Sequence, residues 1–369
     1  GTQNSAFGFF AYASGTTGGQ NVAVGYAALD ANTTASDNTA VGASALTANT
    51  TGNQNTFVGA LSGAALTEGP ANTALGFESL TADTKGQNSV AIGHHALSTQ
   101  NFTSATNTYN VAVGSQAGLS VTTGIQNTLI GGLAGDAMTT GDNNTFIGMS
   151  AGGTGVTTGS SNTSIGTAAL QSVTSGASNC AMGQDAGGSL TTGSNNLLLG
   201  HDTGLTGSPG GAQTTASNVI FLGDENITNI YAAVSSIGTS DERDKTDFTA
   251  LDLGLDFVKN LKPVTYYWDK RSKYGDKYAE DYDLNAQTPD GTHKEDWLDI
   301  GFKAQEVVAL EEAAGYTISD KTNLVSNLTA DGTQYGLKYD RFVPILVKAM
   351  QEQNALIEAL TARITTLEG

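Results

Sequence analysis

The first 239 residues hold almost no charge, with 11 acidic residues and one basic residue, Lys85. They contain neither of the two tryptophans, Trp268 and Trp297. With so few acids, a carboxylate pair for sugar hydrolysis does not stand out there. The chain has one cysteine, Cys180, which excludes an intrachain disulfide framework. No run of eighteen apolar residues occurs, so we expect no membrane insertion. Net charge is −19 per chain. That load disfavours nucleic acid and anionic membranes as partners, because association would have to overcome long-range repulsion.

What fills the first part instead is glycine and repetition: 39 of the 47 glycines precede residue 240. The unit reads Asn-Thr-Ala-Val-Gly-x-x-Ala-Leu followed by a Thr-Gly-rich turn. Its marker glycines are Gly8, Gly25, Gly42, Gly59, Gly76, Gly93, Gly114, Gly131, Gly148, Gly166, Gly183, Gly200 and Gly223, mostly 17 apart. A fixed period of this kind signals a solenoid. The four-residue apolar strokes are too short and too glycine-flanked for helices.

The residue before each marker glycine is large and apolar in the ordinary rungs (Val24, Val41, Val58, Leu75, Ile92), so we expect it on a buried pleated surface. Three residues after the glycine stands Ala or Ser in eleven rungs, from Ala11 to Ala186, as if backbones approached closely. Stacking would let Asn21, Asn38, Asn55 and Asn72 form a hydrogen-bonded ladder. A thin roll of such rungs should have little core of its own. Its Ala- and Gly-rich faces would then pack against identical chains around one axis. We expect the insertion Ser98–Thr108 to be a surface loop, with Phe9, Phe10, Tyr12, Phe102 and Tyr109 exposed for binding.

Chemistry in this part is thin. His94 and His95 would point to opposite faces of a strand, and three copies of one histidine on an axis could hold a metal, but packing or surface roles suffice. We expect no metal and no cofactor. Cys180 stands where sister rungs have Thr or Ser and reads as a small packing residue.

The repeats are similar to the head repeats of trimeric autotransporter adhesins. Asn88-Ser89-Val90-Ala91-Ile92-Gly93 matches their Asn-Ser-x-Ala-Ile-Gly unit, although rungs in those heads are usually shorter. The resemblance covers residues 4 to about 223. The chain opens in mid-repeat at Gly1-Thr2-Gln3-Asn4, so we expect an attachment region upstream.

Residues 240–369 differ sharply, with 24 acidic and 15 basic residues. They open with Ser240-Asp241-Glu242-Arg243-Asp244-Lys245. Read from residue types alone, Ser240-Asp241-Glu242 is a helix or turn cap with an acidic first turn. Leu251 to Leu261 reads as an amphipathic helix stopped before a strand at Pro263-Val264. Ile300–Val307 and Tyr335–Tyr339 follow, and then a long final helix. In that helix Val343, Leu346, Met350, Gln353, Ile357, Leu360, Ile364 and Leu367 alternate steps of three and four, an a/d seam over nearly four heptads. The seam does not fix the number of strands.

The whole of 240–369 resembles the C-terminal intramolecular chaperone domains of phage tailspikes, tail fibres and endosialidases. There a Ser-Asp-x-Arg-x-Lys motif opens the domain and a Gly-Phe-x-Ala-Gln-Glu segment follows, here Gly301-Phe302-Lys303-Ala304-Gln305-Glu306. The resemblance implies a homotrimer whose chaperone is cut off after folding. The scissile bond would be Thr239–Ser240, with Ser240 as nucleophile and Lys245 as its general base. Acting at neutral pH would need the lysine pKa to fall by roughly three units, about 4 kcal/mol of environmental bias. Asp244, beside it, opposes that shift.

The sequence thus predicts a mainly β protein. A trimeric parallel β-solenoid or β-roll of about 17-residue rungs spans residues 1–223, followed by a connector over 224–239. A small α+β chaperone domain spans 240–342 and ends in a coiled-coil helix over 343–369. Such a chain suits the structural and host-binding part of a viral tail fibre or spike. It would be synthesised in the host cytoplasm and carried on the virion, with a host cell-surface glycan or protein as receptor. Any enzymatic activity would be a single self-cleavage. Two alternatives stand beside this reading: a fibre that keeps its trimerisation cap, and a bacterial adhesin head. The adhesin would need a C-terminal anchor of amphipathic β-strands in place of a charged coiled coil.

Overall fold

The structure is a computed structural model that describes residues 1–153, 155–227, 240–277, 279, 281–329 and 331–369, and of Asp244 the backbone alone. The chain divides into two compact units, Gly1–Asn226 and Ile227–Gly369.

In the first unit, thirteen three-residue strands stack in chain order into one parallel sheet, from Ser5–Phe7 to Ile220–Leu222. Each strand pairs with its counterpart one rung on, as Val22, Ala23 and Val24 do with Thr39, Ala40 and Val41. This is a parallel β-solenoid of rungs about 17 residues long. Each rung closes through left-handed corners, such as Ser44 (φ +56°), Leu46 (φ +48°) and Gln54 (φ +60°). The marker glycines serve a different purpose. Gly42 has φ +140°, and a Cβ there would lie 2.4 Å from the carbonyl oxygen of Gly59 in the next rung. Only glycine allows both that angle and that approach.

The buried position is not the expected one. Side chains alternate along a strand, and here the middle residue points inward: Ala40, Phe57, Leu129 and Phe146 are fully buried. The residue before the marker glycine faces out, with Leu75 48% and Met182 47% exposed. A roll of 17 residues is too narrow for a Val or Ile in every rung, so alanine commonly takes the inside. The alanines three residues after the glycine, such as Ala28, Ala45 and Ala134, are likewise buried within their own roll. They therefore do not form the contact face between chains that the sequence suggested. Nor is the core sparse. One cluster runs from Ala23 to Ala151 and a second from Ala169 to Leu198.

Bulk inside the roll is shared between two positions. Where the strand centre is Ala40, Leu46 fills the space; where it is Phe57, residue 63 is glycine, and a Cβ there would meet the phenyl ring at 2.3 Å. Phe146 and Gly152 repeat the pairing. Beside this core runs the asparagine ladder. The backbone N–H groups of Asn38, Asn55 and Asn72 donate to the side-chain oxygen of the asparagine one rung earlier at 2.9–3.0 Å. Their own Nδ2 groups donate to the carbonyls of Gly52, Gly69 and Gly86 at 2.9 Å. Each buried amide thus satisfies backbone groups that would otherwise be stranded.

The insertion after Ser98 is not a loose loop. Thr106–Asn107 pairs in parallel with Gly86–Gln87. Phe102 is buried, and its N–H donates to the buried carboxylate of Asp83 at 3.1 Å. Tyr12 is half-buried and packs on the core, while Phe9, Phe10 and Tyr109 are exposed as expected. His94 and His95 lie in a turn rather than a strand, with ring centroids 4.0 Å apart, so they do not face opposite ways.

The second unit is small and α+β. Helix α1 (Leu255–Asn260) is shorter than the expected Leu251–Leu261 because Gly254 interrupts the helical backbone before it. The pair Val264–Tyr266 and Asp299–Gly301 is antiparallel, as is the pair Ser326–Leu328 and Tyr335–Leu337. Helix α2 (Ala304–Ala313) lies between these pairs in sequence, and α3 (Phe342–Glu368) closes the unit. Leu253, Phe257, Val307, Val325, Phe342 and Ile345 form its core.

Candidate self-cleavage site and oligomer seam

Ser240 and Lys245 are brought together by a single turn. Glu242–Asp244 forms one turn of 3-10 helix, and Asp241 caps it by accepting the N–H of Arg243 at 2.9 Å. The Lys245 N–H donates back to the Glu242 carbonyl at 3.1 Å. Closing the turn swings the Lys245 ammonium onto Ser240, where it donates to Oγ at 2.6 Å and to the carbonyl oxygen at 3.2 Å. Arg243 is held by Asp241 through Nη2 at 2.6 Å and Nε at 3.0 Å. That guanidinium contact holds the Asp241 carboxyl below its ordinary range and raises the arginine in turn. Ser240, Asp241 and Lys245 are all exposed to water in the single chain. Thr239, the other half of the expected scissile bond, lies outside the described residues, as does the Asp244 side chain.

Helix α3 has two faces. Phe342, Ile345 and Ala349 are buried in the core of the unit. Val343, Leu346, Met350, Gln353, Ile357, Leu360, Ile364 and Leu367 are all exposed. From Gln353 onward no residue of α3 is buried, so the helix ends as a long, solitary amphipathic rod. The seam residues form an uncovered stripe along one face of the helix.

Residues 240–316 match the family described as the chaperone of endosialidase. The second unit carries a chaperone-of-endosialidase domain. No curated protein and no solved structure matches the chain.

The Gly301-Phe302 step, inside the matched segment, meets residues beyond it. Gly301 ends a strand directly under Tyr339, whose hydroxyl would lie 2.4 Å from a Cβ at that position. That hydroxyl accepts the N–H of Phe302 at 3.1 Å, and the Phe302 ring stacks on Tyr339 and Phe342. Gly-Phe thus ties the strand to the start of α3.

Two acids that sequence reasoning missed organise the rest. Glu311 of α2 is buried, and its carboxylate accepts the N–H groups of Leu324, Val325 and Ser326 at 2.7, 2.7 and 2.9 Å. Glu352 of α3 accepts the N–H of Leu255 at 2.7 Å, capping α1 where Gly254 offers no side chain. Their partners are backbone groups, which leave no trace in a side-chain pattern.

Among the described residues one group could hold a metal ion: His201, Asp202 and Asp224. His201 Nδ1 lies 3.3 Å from Asp202 Oδ2 and 3.4 Å from Asp224 Oδ2. The His201 ring thus ties Asp202 of its own rung to Asp224 of the next. Among the described residues, no helix is long and apolar enough to cross a membrane.

Proposed function

We propose that this chain is the structural and host-binding part of a homotrimeric viral tail fibre or tailspike, ending in an intramolecular chaperone that drives trimerisation and folding. The observation that carries this is a chaperone-of-endosialidase domain following a long parallel solenoid, with a bare heptad seam on α3. Stacked parallel strands make many non-local contacts, so such a shaft folds slowly and exposes edges meanwhile. A C-terminal seam that pairs early raises the effective concentration of the three shafts and sets their register. Once wound, the shaft can persist without its chaperone.

Release would follow at Thr239–Ser240. Ser240 Oγ attacks the Thr239 carbonyl carbon while Lys245, in its neutral form, takes the hydroxyl proton. The C–N bond then breaks as the amide nitrogen is protonated, leaving Thr239 as an ester on Ser240 that water hydrolyses. The 2.6 Å contact supports the pairing of nucleophile and base. In the single chain the pair is open to water. Cleavage therefore needs cover from neighbouring copies, which would restrict it to the assembled state. That same exposure favours, as a second reading, a trimerisation cap that is retained.

The receptor would be a glycan or protein on the host surface, met through the exposed aromatics Phe9, Phe10 and Tyr109. The fibre would be synthesised in the host cytoplasm and carried on the virion. One denaturing gel decides the cleavage step. Wild type should split into fragments of 239 and 130 residues, and Ser240→Ala and Lys245→Ala should stay whole. An intact wild-type band would leave the retained cap.

A further inference from the structure

The outward face of the solenoid sheet is uncharged from end to end. Two columns of side chains line it. One holds the residue before each marker glycine, such as Val24, Ile130 and Met182, and the other the residue two earlier, such as Val22, Thr128 and Cys180. None of the first unit's charged residues falls in either column; all lie in the turns. Strand register stacks each column rung upon rung. Thirteen strands spaced about 4.8 Å give a face roughly 60 Å long and about 10 Å wide.

We propose that this face is where copies of the chain meet, parallel and rung against rung. The inference rests on the homotrimer reading and names the surface that reading requires. The occupant is a second copy because the stripe is periodic. To cover it along its length a partner must offer apolar side chains at the same rung spacing, and an identical solenoid in register does so. Three copies related by one rotation axis run parallel, as the in-register contact requires. Because the stripe carries no charge, the net −19 of each chain opposes contact least along it. In a trimer each copy's face of about 600 Å² is shared between two neighbours, so roughly 1,800 Å² is withdrawn from water in all, within the range that specific assemblies bury. The alanines three residues after the marker glycines sit inside the roll and are not available for this contact.

Thiol protection tests it. Ile130→Cys and, as control, Thr123→Cys on an exposed turn are each made in a Cys180→Ser background. Alkylation by a bulky maleimide is followed under native conditions, and the same samples are sedimented. We expect trimers in which Cys at 130 reacts slower than Cys at 123 by about tenfold or more, the factor that roughly 1.4 kcal/mol of opening free energy imposes. Wild-type Cys180, in the other column, supplies the same readout without any engineered change in the face, should Ile130→Cys fail to assemble. Trimers in which both column thiols react as fast as the control would overturn this face and leave the trimer standing. Monomers throughout would overturn the homotrimer reading itself.

Discussion

Replacing Phe57 by alanine and Gly63 by leucine should cost far less together than the sum of the two changes made separately. Phe57→Ala empties a fully buried site. Its expected cost is about 3–5 kcal/mol, the range for deleting a buried phenyl group. Gly63→Leu alone drives a Cβ to within 2.3 Å of the Phe57 ring, and overpacking of this kind costs about 1–3 kcal/mol or more. The double variant recreates the pairing found at Ala40 and Leu46. Leu46 already sits at φ +48°, close to the +60° of Gly63, so the corner accepts leucine. What remains is the left-handed penalty of about 1–2 kcal/mol. The coupling between the two sites should therefore be about 3 kcal/mol or larger. Unfolding of the four proteins in denaturant, compared at one concentration, measures it. Additive losses would refute the claim that bulk is exchanged between these two positions within a rung.

Gly131→Ala should prevent a native solenoid, since its Cβ would lie 2.4 Å from the Gly148 oxygen at φ +136°; loss of the β-sheet signal in circular dichroism would show it. Glu311→Ala should destabilise the chaperone domain by about 3 kcal/mol or more, because three backbone donors lose a charged acceptor; a thermal melt matching wild type would contradict this. Ile357→Lys with Leu360→Lys should abolish the trimer by placing charge in the α3 seam, read by sedimentation. The Asp241 carboxyl should titrate below 3.8, and Arg243→Ala should raise its midpoint, followed by carboxyl carbon shifts. Since the folded value is the depressed one, the Asp241 contribution to the turn is present above the ordinary carboxyl range and is lost only as pH falls through the lowered midpoint.

Period, strand direction and the asparagine ladder were legible because stacking places identical residues above one another, so each repeats its signal a dozen times. Inside and outside were not. Valine and isoleucine are the larger apolar residues and suggest burial, yet a roll this narrow takes alanine inward and leaves Val24 and Ile130 on the surface. The turn at Asp241 was readable as a cap, whereas the approach of Lys245 to Ser240 came only with the resemblance to chaperone domains. The grouping of His201 with Asp224 spans a 23-residue step, longer than the ordinary rung, and so escaped the repeat pattern.

Chaperoning, cleavage and the shared solenoid face all depend on three chains acting as one. The Lys245→Ala chain, which should remain whole, can be weighed by native mass spectrometry. We expect close to three times the 37.6 kDa of a single chain. A dominant species at the mass of one chain would contradict the trimer, and with it both the chaperone role of α3 and the shared face of the solenoid.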